Sequence, residues 1–186
     1  MLPGNGALVG VVSAVTGQQP LVTGKPDPAM HAECVRRTRA HRPLVVGDRL
    51  DTDIEGARRA GAASLLVFSG VTEPADLLAA GPGCRPDLLA PDAGGLLTAH
   101  PGVEATDAGW RCGRWLAIAT GEDGLRLAGA EPSVVAANGR PDDDLDGLRA
   151  LAVAHWARLG DQARSAIVSA SDDEAARALA GWGLTG

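Results

Sequence analysis

The run Leu44-Val45-Val46-Gly47-Asp48-Arg49-Leu50-Asp51-Thr52-Asp53 constrains the fold more than any other stretch of the chain. A short apolar segment ends in Gly-Asp, and a second acid follows five residues on. Leu44 to Val46 predicts a buried strand. Gly47 turns the backbone at its carboxyl end, and Asp48 stands just past the tip. Thr52-Asp53-Ile54-Glu55 has capping-box spacing, with Thr52 as N-cap and Glu55 three residues later. Gly61 closes that helix, and Ser64 to Phe68 predicts the next strand. Strand, loop, helix and strand, with carboxylates at the strand's carboxyl edge, make the expected class α/β. Open parallel sheets hold their ligands at that edge.

Upstream, Pro3-Gly4-Asn5-Gly6 reads as a turn, and Ala7 to Val15 as a helix ending near Gly17. Leu21 and Val22 predict a short strand, followed by Gly24-Lys25-Pro26-Asp27-Pro28. Asp27 and Pro28 have the character of an N-cap and a first helical residue. That helix is expected to reach about Ala40, with Met30, Cys34 and Val35 facing inward. Lys25 is the only lysine; the other sixteen cations are arginines. A single ammonium meets two acids or a phosphoryl oxygen without a wide planar fork. A right-handed crossover between the two strands would bring Lys25 and Asp48 to one edge of the sheet. Oxygen ligands there suit Mg2+, which takes one or two carboxylates plus waters and a substrate phosphate. Taken singly, Asp48 also reads as a turn acid, Asp53 as an acid favoured by a helix dipole, and Lys25 as an exposed lysine.

A length of 186 residues allows one large domain or two small ones. All four Trp lie beyond residue 109, which favours two units, 1–99 and 104–186. The net charge of −6 argues against a nucleic-acid surface. Three scattered cysteines match neither a disulfide framework nor zinc spacing, so a reducing cytoplasm is expected. No signal peptide or membrane span is predicted.

Gly24-Lys25-Pro26-Asp27-Pro28, Gly47-Asp48-Arg49-Leu50-Asp51-Thr52-Asp53-Ile54, Gly61 and Ser69-Gly70-Val71-Thr72 together resemble the haloacid dehalogenase (HAD) superfamily of phosphatases. The resemblance is to the subgroup with a large cap, which includes phosphoglycolate and p-nitrophenyl-phosphate phosphatases. It covers about residues 1–98 and implies a partial Rossmann-like parallel sheet flanked by helices. It implies Mg2+ as cofactor and a small phosphorylated metabolite, such as glycerol 3-phosphate or 2-phosphoglycolate, as substrate. By the resemblance Lys25 steadies the nucleophile and the transferring phosphoryl group. Asp48 is a metal ligand, and Asp53 supports the metal's hydration shell or Lys25. Gly24, Gly47 and Arg49 are candidate loop or phosphate contacts. Val71 to Ala80 would be loop and helix, Asp87 to Ala90 a last strand, and Ala93 to Ala99 a closing helix.

Such enzymes open with an apolar strand ending in Asp-x-Asp, whose first acid is the nucleophile. Asp51-Thr52-Asp53 spells those letters but lies inside the Gly-Asp motif, and Asp142-Asp143-Asp144 has no strand before it. The chain reads as though it starts just after the cap. Phosphate-monoester hydrolysis calls for accelerations of up to about 10^21. A serine protease stripped of its triad keeps only about 10^3–10^4 over water. The chain alone is therefore expected to be inactive, with its partner the missing half; a homodimer is compatible with this reading. A different class, a non-catalytic α/β module binding a metal, a phosphate or a partner, stays open.

Beyond His100-Pro101-Gly102 the character changes. Trp110 to Thr120 and Leu125 to Ala130 predict two strands around Gly121-Glu122-Asp123-Gly124. Leu145 to Leu159 predicts an amphipathic helix, Ala166 to Ser169 a strand and Asp172 to Ala180 a final helix. His155 reads as a core histidine, because no nucleophile is spaced to pair with it. This small α/β tail is similar to the GCN5-related acetyltransferase-like (GNAT-like) extension of some HAD phosphatases. Acetyl transfer by residues 104–186 is the third reading. The pyrophosphate loop of such transferases is broken at Arg158-Leu159-Gly160-Asp161. Arg58-Arg59-Ala60-Gly61-Ala62-Ala63 matches it in letters but falls at a helix C-terminus, which repels phosphate.

Overall fold

Two sheets carry the chain in the computed structural model, which describes residues 4–121, 123–129 and 144–184. β1 (Leu44–Gly47), β2 (Ala63–Val67) and β3 (Leu88–Ala90) form a parallel sheet in that order, with Leu44 opposite Ala63 and Val67 opposite Ala90. α3 (Glu55–Arg59) joins β1 to β2, and α4 (Pro74–Leu78) precedes β3. Central β2 is an apolar run buried from Ser64 to Val67, as a strand covered on both faces must be. The second sheet has the order β4 (Glu104–Thr106), β5 (Gly109–Cys112), β6 (Trp115–Thr120), β7 (Gly124–Gly129) and β8 (Ile167–Ala170). Its first four strands are antiparallel neighbours. β8 pairs parallel to β7 after a crossover through α5 (Asp146–Leu159). α6 (Asp173–Gly181) follows, capped by Asp172, whose carboxylate accepts the Ala175 N–H at 2.8 Å.

One apolar cluster runs through both sheets' packing, from Ile54, Leu66, Leu77 and Leu89 to Leu125, Leu148 and Leu151. Arg85 reinforces this junction. Its guanidinium donates to the carbonyls of Ala80, Gly160 and Gln162 at 3.1, 2.7 and 2.9 Å and lies over the Trp156 ring. No described helix is long and apolar enough to cross a membrane.

Several local expectations are corrected. Leu21 and Val22 form no strand; they are 90% and 64% exposed, with no strand beside them to supply ladder bonds. α1 (Asn5–Thr16) ends at Gly17, in the left-handed region, as expected, but buries no residue. α2 (Ala29–Thr38) starts one residue later than expected, with Asp27 accepting the Ala29 N–H, and leaves Met30 and Cys34 exposed. Thr52 caps nothing: Leu50–Ile54 is a π turn whose N-cap is Arg49. Trp110 to Thr120 is two strands, broken by a turn at Gly113, whose φ of 55° suits a tight hairpin. The segment from Ala93 to Leu97 is a 3-10 turn. α5 is not amphipathic but buried almost all round. Asp142 and Asp143 lie outside the described residues.

Candidate active site

Asp48 and Asp53 stand together at the carboxyl end of β1 because the turn after the strand is wide. The Arg49 carbonyl accepts the N–H groups of both Asp53 and Ile54, each at 3.1 Å. This π geometry turns the Asp53 side chain back over the strand. There it lies so close to Gly47 that a Cβ on that residue would overlap the carboxylate. Gly47 is thus required by close approach. Asp53 is almost fully buried; its Oδ2 accepts the Arg49 N–H at 3.2 Å and its Oδ1 meets Lys25 Nζ at 2.5 Å.

Lys25 arrives from a loop, since the expected strand before it is absent, and is 42% exposed. The Gly24 carbonyl accepts the Asp27 N–H at 3.0 Å, so Gly24 serves a turn. Pro26 and the His31 ring rest against Gly56 at the start of α3, where a Cβ would come within 3.1 Å of His31 Nε2. Close packing on a glycine, rather than a crossover between strands, brings the lysine to Asp53.

Asp48 is half-buried and held from the far side. Ser69 Oγ donates to its Oδ2 at 3.2 Å, and buried Thr72 donates to its main-chain carbonyl at 2.6 Å. Sequence reasoning gave these two hydroxyls no role. The available signal was Ser69-Gly70-Val71-Thr72 directly after an apolar strand. The Arg49 guanidinium lies across Asp51 at 2.9 and 3.1 Å, and that pairing holds the Asp51 carboxyl below its ordinary range. Arg49 therefore shapes the site through its backbone.

Asp48 Oδ1 has no hydrogen-bond partner among the described residues. Asp53, by contrast, has both oxygens engaged. No group of three metal-binding side chains occurs among the described residues. The donors fit a share of a Mg2+ shell, one carboxylate with the rest from water, substrate and other groups.

A HAD-hydrolase-like family model matches residues 22–96, which include Lys25, Asp48 and Asp53. Residues 22–96 belong to the HAD-type hydrolases. A GCN5-related N-acetyltransferase-like model matches residues 112–184. The chain is 39% identical to the D-glycerol 3-phosphate phosphatase of Mycobacterium tuberculosis, over 99% of its own length and 51% of the relative's. It is 40% identical to phosphoglycolate phosphatase 2 of Arabidopsis thaliana over 87 residues, 46% of this chain and 29% of that one. Crystal structures of the M. tuberculosis glycerol phosphate phosphatase, with magnesium and with calcium, superpose at TM-scores of 0.76 and 0.79 and 35% identity. They cover 99% and 100% of this chain and 50% and 52% of theirs. The chain thus spans about half the length of these relatives.

Among the described residues of the tail, the N-terminus of α5 is filled by the buried Asp146 carboxylate, paired with Arg149 at 2.8 Å. β7 and β8 are paired from Gly124–Ile167 to Leu127–Ala170, and beyond that pairing the Gly129 N–H of β7 donates to the Asp172 carboxylate at 2.9 Å. His155 is fully buried, its Nε2 on the Arg164 carbonyl at 2.8 Å.

Proposed function

We propose that this chain supplies the lysine and metal-binding part of a Mg2+-dependent HAD-type phosphomonoesterase. Its substrate would be a small phosphorylated metabolite of the glycerol 3-phosphate or 2-phosphoglycolate type. The observation that carries the reading is the gathering of Lys25, Asp53 and Asp48 at the end of β1. In it, Asp53 fixes Lys25, and Lys25 steadies the nucleophile and the phosphoryl group. Asp48 holds the Mg2+, which when bound polarises a phosphoryl oxygen as a Lewis acid. The nucleophile is a carboxylate from outside these 186 residues; it forms an aspartyl-phosphate that water hydrolyses.

The surface supports an added segment. Among the described residues, nine of the thirteen exposed large apolar side chains fall between Leu8 and Leu44, and β1 is an edge strand of its sheet. Such an edge invites a further strand. The segment we assign to it is the half of the relatives' length that this chain does not span. The unit division is 1–99 and 104–186, with the second serving as structural support, in a cytoplasmic enzyme whose assembled form is a homodimer.

The test is Mg2+-dependent phosphate release from glycerol 3-phosphate and 2-phosphoglycolate, with Asp48→Asn alongside. The chain alone should release no more than Asp48→Asn. Adding the remaining half of the M. tuberculosis relative as a separate polypeptide should restore turnover. Turnover by the chain alone, abolished in Asp48→Asn, would overturn the claim that the nucleophile lies elsewhere. The same exposed face favours a second reading, a non-catalytic partner-binding module. Assembly with that polypeptide without turnover would decide for it.

A further inference from the structure

Of the three acids that follow β1, two are fully engaged. Asp53 has both oxygens on Lys25 and the Arg49 N–H, and Asp51 has both on the Arg49 guanidinium. Asp48 keeps Oδ1 without a hydrogen-bond partner among the described residues, while its Oδ2 and its main-chain carbonyl each accept a hydroxyl. Both hydroxyls come from one loop, between β2 and α4.

That loop is tied at both ends. The Phe68 N–H donates to the Ala90 carbonyl of β3 at 3.1 Å, and the Glu73 N–H donates to the Asp76 carboxylate of α4 at 3.0 Å. Between the ties Gly70 has a φ of 115°, which favours glycine, and the chain turns so that two hydroxyls reach one residue. Buried Thr72 donates to the Asp48 carbonyl at 2.6 Å and so fixes the backbone. Ser69 donates to Oδ2 at 3.2 Å. The terminal torsion of an aspartate is broad, so a donor on one oxygen sets which way the other faces. Groups that hold a metal ligand in this manner are typically worth about 10–100-fold in metal affinity.

We propose that Ser69 is a positioning residue for the metal. By holding Oδ2 it sets the rotation in which Asp48 presents Oδ1 to Mg2+, on a backbone that Thr72 keeps in place. Ser69 acts through Asp48, so its role rests on Asp48 being the metal ligand.

Mn2+ is a suitable probe. It takes the same carboxylate, carbonyl and water ligands as Mg2+, and its unpaired electrons broaden nearby amide signals even at low occupancy. Mn2+ is added in sub-stoichiometric amounts to the 15N-labelled chain, and the broadening around Asp48 is followed, with Ser69→Ala, Ser69→Thr and Asp48→Asn alongside. In the unaltered chain the broadening should be reversed by Mg2+, and in Asp48→Asn it should be lost. Ser69→Ala should need at least about tenfold more Mn2+ for the same broadening. Its melting temperature should stay with that of the unaltered chain, because Ser69 is exposed. Ser69→Thr, which keeps the hydroxyl, should recover the affinity for Mn2+. The proposal is overturned if Ser69→Ala is broadened as strongly as the unaltered chain while Asp48→Asn is not, or if Ser69→Thr is as impaired as Ser69→Ala. Broadening that survives in Asp48→Asn, or that is absent from the unaltered chain, overturns the assignment of the metal to Asp48 and the role of Ser69 with it.

Discussion

Replacing Gly47 by alanine tests how the site is built. Gly47 is fixed in the sheet opposite Leu66, so its backbone cannot retreat without breaking the ladder. The added methyl would occupy the space of the Asp53 side chain, from its Cβ to its carboxylate. Overpacking of this kind costs about 1–3 kcal/mol. For a chain of this size about 2 kcal/mol lowers the melting temperature by about 4–8 °C. The diagnostic quantity is coupling to Lys25→Met. If the methyl expels Asp53, the Lys25–Asp53 bond is already lost, and the double variant is less destabilised than the sum of the singles. The coupling should be about 0.5–1 kcal/mol, kept small because Lys25 is 42% exposed and its ion pair is screened by water. Urea unfolding of the four proteins at neutral pH measures it. If Gly47→Ala unfolds within about 0.5 kcal/mol of the unaltered chain, or if the two losses simply add, the close-approach argument is refuted.

Arg85→Ala removes bonds to three carbonyls, two of them just beyond α5, together with the cation over Trp156; a loss of about 1–3 kcal/mol by urea unfolding is expected. Arg85→Lys should recover only part of it, because one ammonium cannot span the three acceptors. Thr72→Val keeps the shape but leaves the Asp48 carbonyl without its hydroxyl donor, so the melting temperature should fall, by an amount set by about 1–3 kcal/mol. The Asp172 carboxyl is held below its ordinary value by the backbone N–H of Ala175 first and that of Gly129 second. A depressed carboxylate contributes stability above its unfolded pKa of about 4 and loses it as pH falls through the lower folded value. Urea midpoints taken downward from pH ~5 should therefore fall less steeply in Asp172→Asn than in the unaltered chain. Isothermal titration with acetyl-CoA should give no heat of binding, because Asp146 fills the α5 N-terminus; a measurable affinity would contradict that account.

The elements with strong local signals were legible from residue order. Leu44 to Val46 as a strand (though not its expected burial), Gly17 as a helix end and Asp172 before α6 each rest on chemistry confined to a few residues. What failed depended on distant partners. Leu21 and Val22 have strand character, yet a strand exists only where another lies beside it. The second buried face of α5 is built of Gly147, Ala150 and Ala154, small residues that carry little hydrophobic signal. Convergence at one sheet edge was expected of Lys25 and Asp48, with support of Lys25 by Asp53 one of two roles the resemblance implied; the hydrogen bond of Lys25 is to Asp53, and the chain reaches it by a different route. The π turn that aims Asp53 had no counterpart in the letters, since Thr52-x-x-Glu55 spells an ordinary cap. Wide turns of this type recur at functional positions, where aiming a side chain outweighs regular hydrogen bonding.

The apolar cluster that runs from Ile54 and Leu89 into Leu148 and Leu151 makes the two family segments one thermodynamic object. The chain can be divided by ancestry near residue 100, but the water-free interior is not divided there. A change inside the tail, at Leu151 for instance, alters the support under Ile54, the residue next to Asp53. Evolution of the tail is thereby bound to the segment bearing Lys25 and Asp48, and a domain can be kept under selection for the shape of its neighbour.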